Sequence, residues 1–182
     1  MQRNDLLVWM DLEMTGLNPH TDSIIEAAVV ITDVNLGIVA EGPDLIIHAS
    51  KEAFEHCDPV VTEMLTANGL IEFSPQSALS ETEAEEELLR FVASNVEEKS
   101  SPLCGNSIHV DRMFLNHRMP RIDRYLHYRN LDVSSLKGVV SRWHPNIYEE
   151  YKAMRPPKSH RAKDDILQSI NELQFYKEHF FS

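Results

Sequence analysis

The feature that most constrains this chain is an apolar segment near its start that carries two carboxylates. The segment is LLVWMDLEMTGLNP, residues 6–19, with Asp11 and Glu13 near its centre. Side chains of a β-strand alternate between two faces, so Asp11 and Glu13 point the same way while the apolar residues on either side of Asp11 point into the opposite layer. Two like charges this close either raise each other's pKa or hold a cation. Taken alone, the pattern also fits a solvated strand end, so the rest of the chain must decide.

Length and composition favour one globular domain. The chain has 182 residues, 42% hydrophobic and 25% charged, so it can bury one sizeable core, and we predict a single domain over residues 1–182. Neither a leader-like N-terminus nor an apolar run of about 18 residues is present in the sequence, so no membrane contact is expected. Cys57 and Cys104 lack the spacing of a disulfide framework or metal knuckle. We expect reduced thiols in a cytoplasmic protein, with an organellar form as the alternative.

Charge is unevenly distributed along the sequence. The net charge is −12, made up of −16 over residues 1–100 and +4 over residues 101–182. Neutralising a long nucleic acid takes clustered Lys and Arg, so the acidic balance argues against broad binding to long strands. The basic half contains one cluster of arginines: Arg112, Arg118, Arg121, Arg124 and Arg129. This cluster fits either a phosphate site or a solvated helix face.

Hydrophobic patterning predicts alternating strands and helices. Three segments rich in Val, Ile and Leu, with short turn-prone connections, predict antiparallel strands at residues 6–12, 24–32 and 38–48. A short helix is expected at residues 59–68, and Ser80 followed by Glu83 predicts the capping-box start of a longer helix. The later elements are a fourth strand in PLCGNSI, a helix in HVDRMFLNHRM, a fifth strand in HYRNLDV, a helix in SSLKGVVSRW and a last helix after RPPKSH.

Two further acidic motifs lie in the second half of the chain. Asp111 follows GNS and falls in the first turns of the helix after the fourth strand. In SHRAKDD, His160 and Asp165 would lie about 140° apart on a continuous helix, so they would not share a face. If the double proline before this motif keeps the chain irregular up to His160, that residue lies in the approach loop and Asp165 in the first turn, and both reach one site. Asp164 is expected to be a solvated acid.

The conjunction of these motifs resembles the DEDDh exonucleases. The matching residues are Asp11, Glu13, Asp111, Asp165 and His160. More narrowly, the strings WMDLEMTGLNP, AEGPDLIIH, CGNSIHVDRMFL, LHYRNLDVSSLK and SHRAKDDILQSINELQFYKEHF resemble the oligoribonuclease family and cover nearly the whole chain. The resemblance implies an α/β, RNase H-like fold with a five-stranded mixed sheet, its first three strands antiparallel, flanked by helices. It also implies a 3′-to-5′ exoribonuclease that hydrolyses very short RNA.

The resemblance further implies that the four acids hold two divalent metal ions and that His160 is the general base. An oxygen-rich ligand set without cysteine suits Mg2+ or Mn2+ better than zinc. Two such ions can hold a phosphodiester between them, one activating water and the other stabilising the departing 3′-oxygen. An imidazole exchanges protons near neutral pH, as a general base requires.

The resemblance also implies specific contacts with substrate and a homodimer. Leu17 is expected to wedge between two bases, and Tyr128 to reach into the partner subunit's site. The expected 5′-phosphate cap consists of Ser107, Arg129, Ser134 and Ser135. The implied substrates are short single-stranded RNA oligonucleotides, dinucleotides above all, with the linear diguanylate pGpG as one of them.

One segment departs from the family pattern. Relatives carry a tryptophan and a histidine near the places where this chain has Val60 and Leu65. The departure predicts a weaker or different hold on the 3′ nucleotide, with the metal chemistry unaffected.

Aromatic and imidazole side chains outside the motifs are expected to be structural. Trp9 and Trp143 are predicted to lie in the core instead of stacking on bases. His109 and His117 stand about two turns apart on one helix, too far apart to share an ion, and are expected to be structural or exposed.

Two other functions stay open at the level of sequence. One is a different DEDDh enzyme, such as a proofreading or tRNA-trimming exonuclease, for which a broader basic surface is expected. The other is a catalytically silent binding module on the same fold, against which the intact acids and His160 count.

Overall fold

A five-stranded mixed sheet organises the part of the chain that the computed structural model describes, residues 5–157 and 159–180. Its strands are β1 (Leu6–Met14), β2 (Ile24–Asp33), β3 (Ile38–Ile46), β4 (Leu103–Gly105) and β5 (Asn130–Asp132). They lie in the order β3-β2-β1-β4-β5. The first three strands are antiparallel neighbours, whereas β4 and β5 join parallel to β1. The predicted fold class is confirmed, although β3 ends earlier than predicted; both ends of the predicted domain lie outside the described residues.

Helices cover both faces of this sheet. Within the described residues they are α1 (Pro59–Ala67), α2 (Leu70–Phe73), α3 (Glu81–Asn95), α4 (His109–Arg118), α5 (Pro120–Tyr125), α6 (Val133–Trp143), α7 (Pro145–Met154) and α8 (Ala162–His179). Short 3-10 turns occupy Lys51–Phe54 and Ser74–Gln76. Across the described ranges, no helix combines the length and the apolar character needed to cross a membrane.

The capping box predicted at the start of α3 is present. The Ser80 hydroxyl accepts a hydrogen bond from the Glu83 amide at 3.3 Å, and the Glu83 carboxylate accepts one from the Ser80 amide at 2.9 Å. The Ser80 hydroxyl also donates to the Glu83 carboxylate at 2.6 Å, and this bond, with the one from the Ser80 amide, lowers the pKa of Glu83 below its usual value because both favour the charged carboxylate. The first amides of a helix have no partner within the helix. At the start of α3, the side chains of Ser80 and Glu83 accept hydrogen bonds from two of them, which fixes where the helix begins.

The two faces of β1 separate into two cores, as the alternation predicted. Val8, Met10 and Leu12 pack against helices α3, α4 and α5 in the larger apolar cluster. Trp9 lies on the other face with Ile166 and other residues of α6 and α8, and its indole N–H donates to the Thr32 hydroxyl at 2.9 Å. Trp9 is fully buried, which confirms its predicted place in the core.

The prediction that Trp143 lies in the core is wrong. Its side chain is 71% exposed. Helix α6 buries Val133 and Val140, but it ends at Trp143, and the chain turns into α7 at Pro145. The last turn of α6 therefore extends beyond the side chains that cover the earlier turns, and the indole projects into solvent.

Four of the five clustered arginines are used within the fold. The Arg112 guanidinium contacts the Asp123 carboxylate at 2.5 Å and donates to the carbonyl of His127 at 3.0 Å. The other three have these partners: Arg118 with Glu81 at 2.8 Å, Arg121 with Glu86 at 3.1 Å, and Arg124 with the carbonyl of Pro120 at 3.1 Å. The structure therefore favours a structural role for this cluster, apart from Arg129.

The parallel pairing of β1 and β4 determines where polar side chains can meet. Val8 and Trp9 pair with Leu103 and Cys104, so both strands end at the same edge of the sheet. Helix α4 starts four residues after β4 at that edge, and β1 carries its two carboxylates there. Ligand sites of open α/β sheets commonly form outside the carboxyl ends of parallel strands.

Candidate active site

The first two candidate ligands stand at the end of β1. Glu13 is buried at 6% exposure and Asp11 is half-buried. The antiparallel pairing places Asp11 opposite Ala28 and Glu13 opposite Glu26, and the register shifts directly after Glu13. An acid this well buried needs either a cationic partner or a proton.

Asp111 is brought to the same strand by α4. It lies in the first turn of that helix, and its Oδ1 accepts a hydrogen bond from the backbone amide of Leu12 at 2.9 Å. Leu12 separates the two β1 acids in the sequence, so the third carboxylate approaches the strand between them. Asp111 is also buried, at 6% exposure.

His160 and Asp165 arrive from the start of α8. Because α8 begins at Ala162, Asp165 falls in its first turn and His160 in the loop before it, as the prolines predicted. Glu13, His160 and Asp165 each offer a ligand atom, and these atoms lie within 4.8 Å of one another. The first turn of a helix is a favourable place for an acidic side chain, because the helix dipole is positive there.

The loop that carries His160 has an unusual backbone. His160 has φ +53°, in the left-handed region that residues with a Cβ seldom adopt. Its carbonyl accepts a hydrogen bond from the Asn68 side chain at 2.5 Å, and Asn68 caps the end of α1. The structure thus ties the His160 loop to a helix that is distant in sequence.

Glu26 is a site neighbour that the sequence analysis missed. It is fully buried in β2, opposite Glu13, and its carboxylate contacts the Arg161 guanidinium at 2.6 and 2.7 Å. Its other oxygen accepts the Ala162 amide at 2.9 Å. The hydrogen bond to Glu26 raises the pKa of Arg161 above its usual value. The available signal was a lone acid inside the apolar run IIEAAVV.

Three of the four predicted cap residues meet at Asp132. The Ser107 amide donates to the Asp132 carboxylate at 3.0 Å, and the Ser107 and Ser134 hydroxyls lie 3.1 Å apart. The Ser135 hydroxyl donates to Asp132 at 3.3 Å. Asp132 is the N-cap of α6, and the sequence analysis placed it in a strand without assigning it this role.

Arg129, Tyr128 and Leu17 lie on the surface. The Arg129 guanidinium is 5.5 Å from the centre of the Tyr128 ring, so its side chain lies against Tyr128 instead of against the three serines. Tyr128 and Leu17 are each 73% exposed. Their exposure leaves both side chains accessible to a ligand or a second subunit.

The two positions that depart from the family pattern have different surroundings. Val60 is 74% exposed and, with Met64, Ala67 and His160, lines a groove of about 510 Å³. Leu65 points away from this groove into an apolar cluster and is fully buried. Of the two, only Val60 can contact a ligand beside His160.

His109 and His117 are both exposed, within the range expected for them. His109 stands 3.7 Å from the Asp132 carboxylate, and the His117 ring meets the edge of the His20 ring at 4.3 Å. Asp164 is exposed, in contrast to its neighbour Asp165.

Comparison with known proteins agrees with this geometry. Residues 8–173 match the family model described as Exonuclease. The chain is 48% identical over 181 residues to the Oligoribonuclease of Marinobacter nauticus, covering 100% of this chain and 99% of that protein. It is 45% identical over 179 residues to the Oligoribonuclease of Chromobacterium violaceum, covering 98% and 97%. This chain belongs to the oligoribonuclease family. Membership confirms the expected enzyme class, a metal-dependent 3′-to-5′ exoribonuclease.

Solved structures of exonuclease I share the fold of this oligoribonuclease-family chain. The enzyme from Methylocaldum szegediense has a TM-score of 0.71 and 16% identity over 96% of this chain. Escherichia coli exonuclease I in complex with a 5cy-dT13 oligonucleotide has a TM-score of 0.74 and 12% identity over 98% of this chain. The chain spans 40% and 41% of the lengths of those two proteins.

The residues present fit the divalent metal that the family uses. Glu13 and Asp165 are buried carboxylates whose ligand atoms lie within 4.8 Å of each other, and the proposed donors are carboxylate oxygens, with no thiol among them. Buried like charges repel each other strongly, and a divalent cation removes that repulsion. Hard oxygen donors of this kind suit Mg2+ or Mn2+.

Metal binding should be visible in thermal unfolding. We expect Mn2+ to raise the unfolding temperature of the wild-type protein, because an ion that binds only the native state at 100 times its dissociation constant adds about 2.7 kcal/mol. Glu13→Gln and Asp165→Asn should lose most of this rise. In EDTA both variants should unfold at a higher temperature than wild type, because each removes a like charge.

Asp164→Asn is the matched control, since it changes an exposed acid beside Asp165. It should keep the full response to Mn2+. A wild-type response in Glu13→Gln would contradict a role for that carboxylate in metal binding.

Proposed function

We propose that this chain hydrolyses very short RNA oligonucleotides, dinucleotides above all and pGpG among them, from the 3′ end to nucleoside 5′-monophosphates. The observation that carries the proposal is the convergence of Glu13, His160 and Asp165 within 4.8 Å, in a chain that matches proteins named Oligoribonuclease along its whole length. Asp11 and Asp111 complete the proposed ligand set, because Asp11 lies in β1 beside Glu13 and the Asp111 carboxylate contacts the same strand at the Leu12 amide.

His160 is the proposed general base. It stands in the loop before α8 beside Glu13 and Asp165, within reach of water at the metal site. When bound, two divalent ions neutralise charge on the phosphate and make water more acidic. His160 takes a proton from the attacking water as oxygen bonds to phosphorus; the P–O3′ bond then breaks, and the departing 3′-oxygen takes a proton from solvent.

Length selectivity is proposed to come from a closed 5′ end. The hydroxyls of Ser107, Ser134 and Ser135 cluster at the N-terminal end of α6, where a helix favours negative charge. Asp132 orients these serines but is itself negative, so we assign the compensating positive charge to Arg129. A dinucleotide would then fill the space between this cap and His160, with Leu17 between its bases.

The proposed active form is a homodimer. Tyr128 and Arg129 lie together on the surface, and Tyr128 is too exposed to serve the fold of its own subunit. We propose that Tyr128 contributes to the partner subunit's site.

Cys57 and Cys104 are both free thiols, which supports a reducing compartment such as the cytoplasm.

The central test compares a 5′-labelled RNA dinucleotide with a 20-mer, with and without Mg2+. We expect rapid metal-dependent cleavage of the dinucleotide and slow cleavage of the 20-mer. His160→Ala should lower the rate by about 10² to 10⁴, the usual loss for a positioned acid-base group, while Mn2+ binding is mostly kept. His56→Ala, at an exposed histidine outside the proposed site, should leave the rate unchanged.

Faster cleavage of the 20-mer would instead indicate an exonuclease for long strands. Binding of the dinucleotide without cleavage at saturating Mg2+ and Mn2+ would indicate a silent binding module.

Arg129→Ala should separate 5′-phosphorylated from unphosphorylated dinucleotides. A hydrogen bond to a charged group contributes about 1.5 to 3 kcal/mol, so the phosphorylated ligand should bind roughly 10- to 100-fold more weakly. The unphosphorylated ligand lacks the partner and should change little. Equilibrium binding in Ca2+ measures both, and Arg124→Ala, whose guanidinium contacts its own helix, is the control. Equal losses for the two ligands would place Arg129 outside the cap.

Hybrid dimers test the role of Tyr128. Tyr128→Ala and Asp111→Ala should each lower activity when alone. After subunit exchange, mixed dimers should regain activity, because one of their two sites then has both an intact Asp111 and an intact tyrosine from the partner subunit. Each variant exchanged with itself is the control. Failure to recover activity despite exchange shown by native mass spectrometry would contradict a tyrosine acting across the interface.

A further inference from the structure

The ion pair between the buried Glu26 and the half-buried Arg161 joins the strands of the proposed metal site to the loop of the proposed general base. We infer that these two residues, called here the β2–α8 clamp, are positioning residues that fix His160 for proton transfer. The inference rests on the proposed function of His160 and extends it to residues that contact neither substrate nor metal in that proposal.

The first residue of the clamp, Glu26, lies in a strand that is paired on both sides. Glu26 is fully buried in the middle of the sheet and pairs in register with Glu13. Residues paired across antiparallel strands point to the same face, so the Glu26 side chain leaves the sheet beside that of Glu13. Glu26 and the proposed metal ligand Glu13 are therefore held by the same pair of strands, so any group that Glu26 binds has a fixed position relative to Glu13.

Both oxygens of Glu26 hold the chain immediately after His160. Oε1 contacts Nε and Nη2 of Arg161 at 2.7 and 2.6 Å, and Oε2 accepts the amide of Ala162 at 2.9 Å. Ala162 is the first residue of α8. One carboxylate thus fixes a side chain and a backbone amide at successive residues, which determines where α8 starts.

This anchoring matters because His160 has a strained backbone. Its φ of +53° is seldom adopted by residues with a Cβ and persists only where the surroundings hold it. Asn68 fixes the His160 carbonyl from the side of α1, and the clamp fixes the next residue from the side of β2. With both contacts in place, the imidazole is directed toward Glu13 and Asp165.

The same contacts give Glu26 a cationic partner of its own. Its two oxygens are occupied by a guanidinium and an amide, although it lies beside Glu13. Arg161 therefore neutralises one buried acid while leaving the neighbouring acids to the metal.

The decisive measurement is a double-mutant cycle between Arg161 and His160. Arg161→Gln should lower kcat for dinucleotide cleavage by about 10- to 100-fold, the scale expected when a catalytic group is displaced by about 1 Å. KM and the half-saturating Mn2+ concentration should change less than about two-fold. In a His160→Ala background, Arg161→Gln should cost nothing further, because its effect acts through the imidazole.

Lys163→Gln is the matched control, since Lys163 makes an ion pair with Glu41 at 2.7 Å in the same turn of α8 but holds no part of the His160 loop. It should leave kcat unchanged. If Arg161→Gln lowers kcat as much without His160 as with it, the clamp acts on the fold and the inference is overturned.

A second variant covers the case in which Arg161→Gln unfolds because Glu26 is left uncompensated. Glu26→Gln with Arg161→Gln removes both charges, should stay folded by circular dichroism, and should still be slow because the guanidinium contacts are lost. Full activity in this folded double variant would overturn the inference.

The metal-free protein gives a readout that does not depend on turnover. With 15N-labelled histidine, the His160 ring should give one sharp NMR signal in wild type and in Lys163→Gln, and a broadened or split signal in Arg161→Gln. An unchanged signal in Arg161→Gln would overturn the inference. Absence of dinucleotide cleavage by wild type would instead count against the proposed function, so the two failures can be told apart.

Discussion

Repulsion among buried carboxylates at the end of β1 is the constraint on which the rest of the structure depends. Glu13, Asp111 and Asp165 are each only 6% exposed, and burial in a poorly polarisable interior strengthens the repulsion between them. The fold keeps them together through contacts made elsewhere, such as the amide of Leu12 that fixes Asp111. If these acids hold a metal ion as proposed, the protein is less stable without the cation and more stable when it binds, because the same repulsion that destabilises the empty site provides the affinity for metal.

The sheet topology explains how three distant segments can supply one site. Parallel pairing of β1 with β4 brings the start of α4 to the end of β1, and packing of α8 on Trp9 and Val30 brings the opposite end of the chain to the same edge. The apolar face of β1 thus determines the position of its polar end. Loss of packing under α8 would therefore displace His160 and Asp165 together.

Much of this arrangement could be predicted from sequence because it follows local rules. Strand alternation gave the common face of Asp11 and Glu13, and the prolines before SHRAKDD gave the loop position of His160. Contacts between segments could not be obtained in this way. Arg161, the partner of Glu26, is 135 residues away in the sequence. Asp132 accepts hydrogen bonds from serines before α4 and in α6. Trp143 is exposed because the last turn of α6 extends beyond the side chains that cover the earlier turns. Such features depend on the position at which each helix packs against the sheet. The periodicity of apolar residues alone does not specify that position.

The use of arginines within the fold also bears on substrate length. A protein that follows a long strand needs many free cations along its surface, since each phosphate contact adds to affinity. In this chain Arg112, Arg118 and Arg121 pair with acids, and Arg161 pairs with the buried Glu26. These cations thus mainly stabilise the protein. Within the predicted cluster, Arg124 and Arg129 have no acid among their contacts in the described residues, and Arg124 contacts a carbonyl of its own helix, so Arg129 is the member left to meet a ligand. The proposed cap, with one cation and a few hydroxyls, would bind a single terminal phosphate and add little affinity for a longer backbone, which is consistent with short oligonucleotides as substrates.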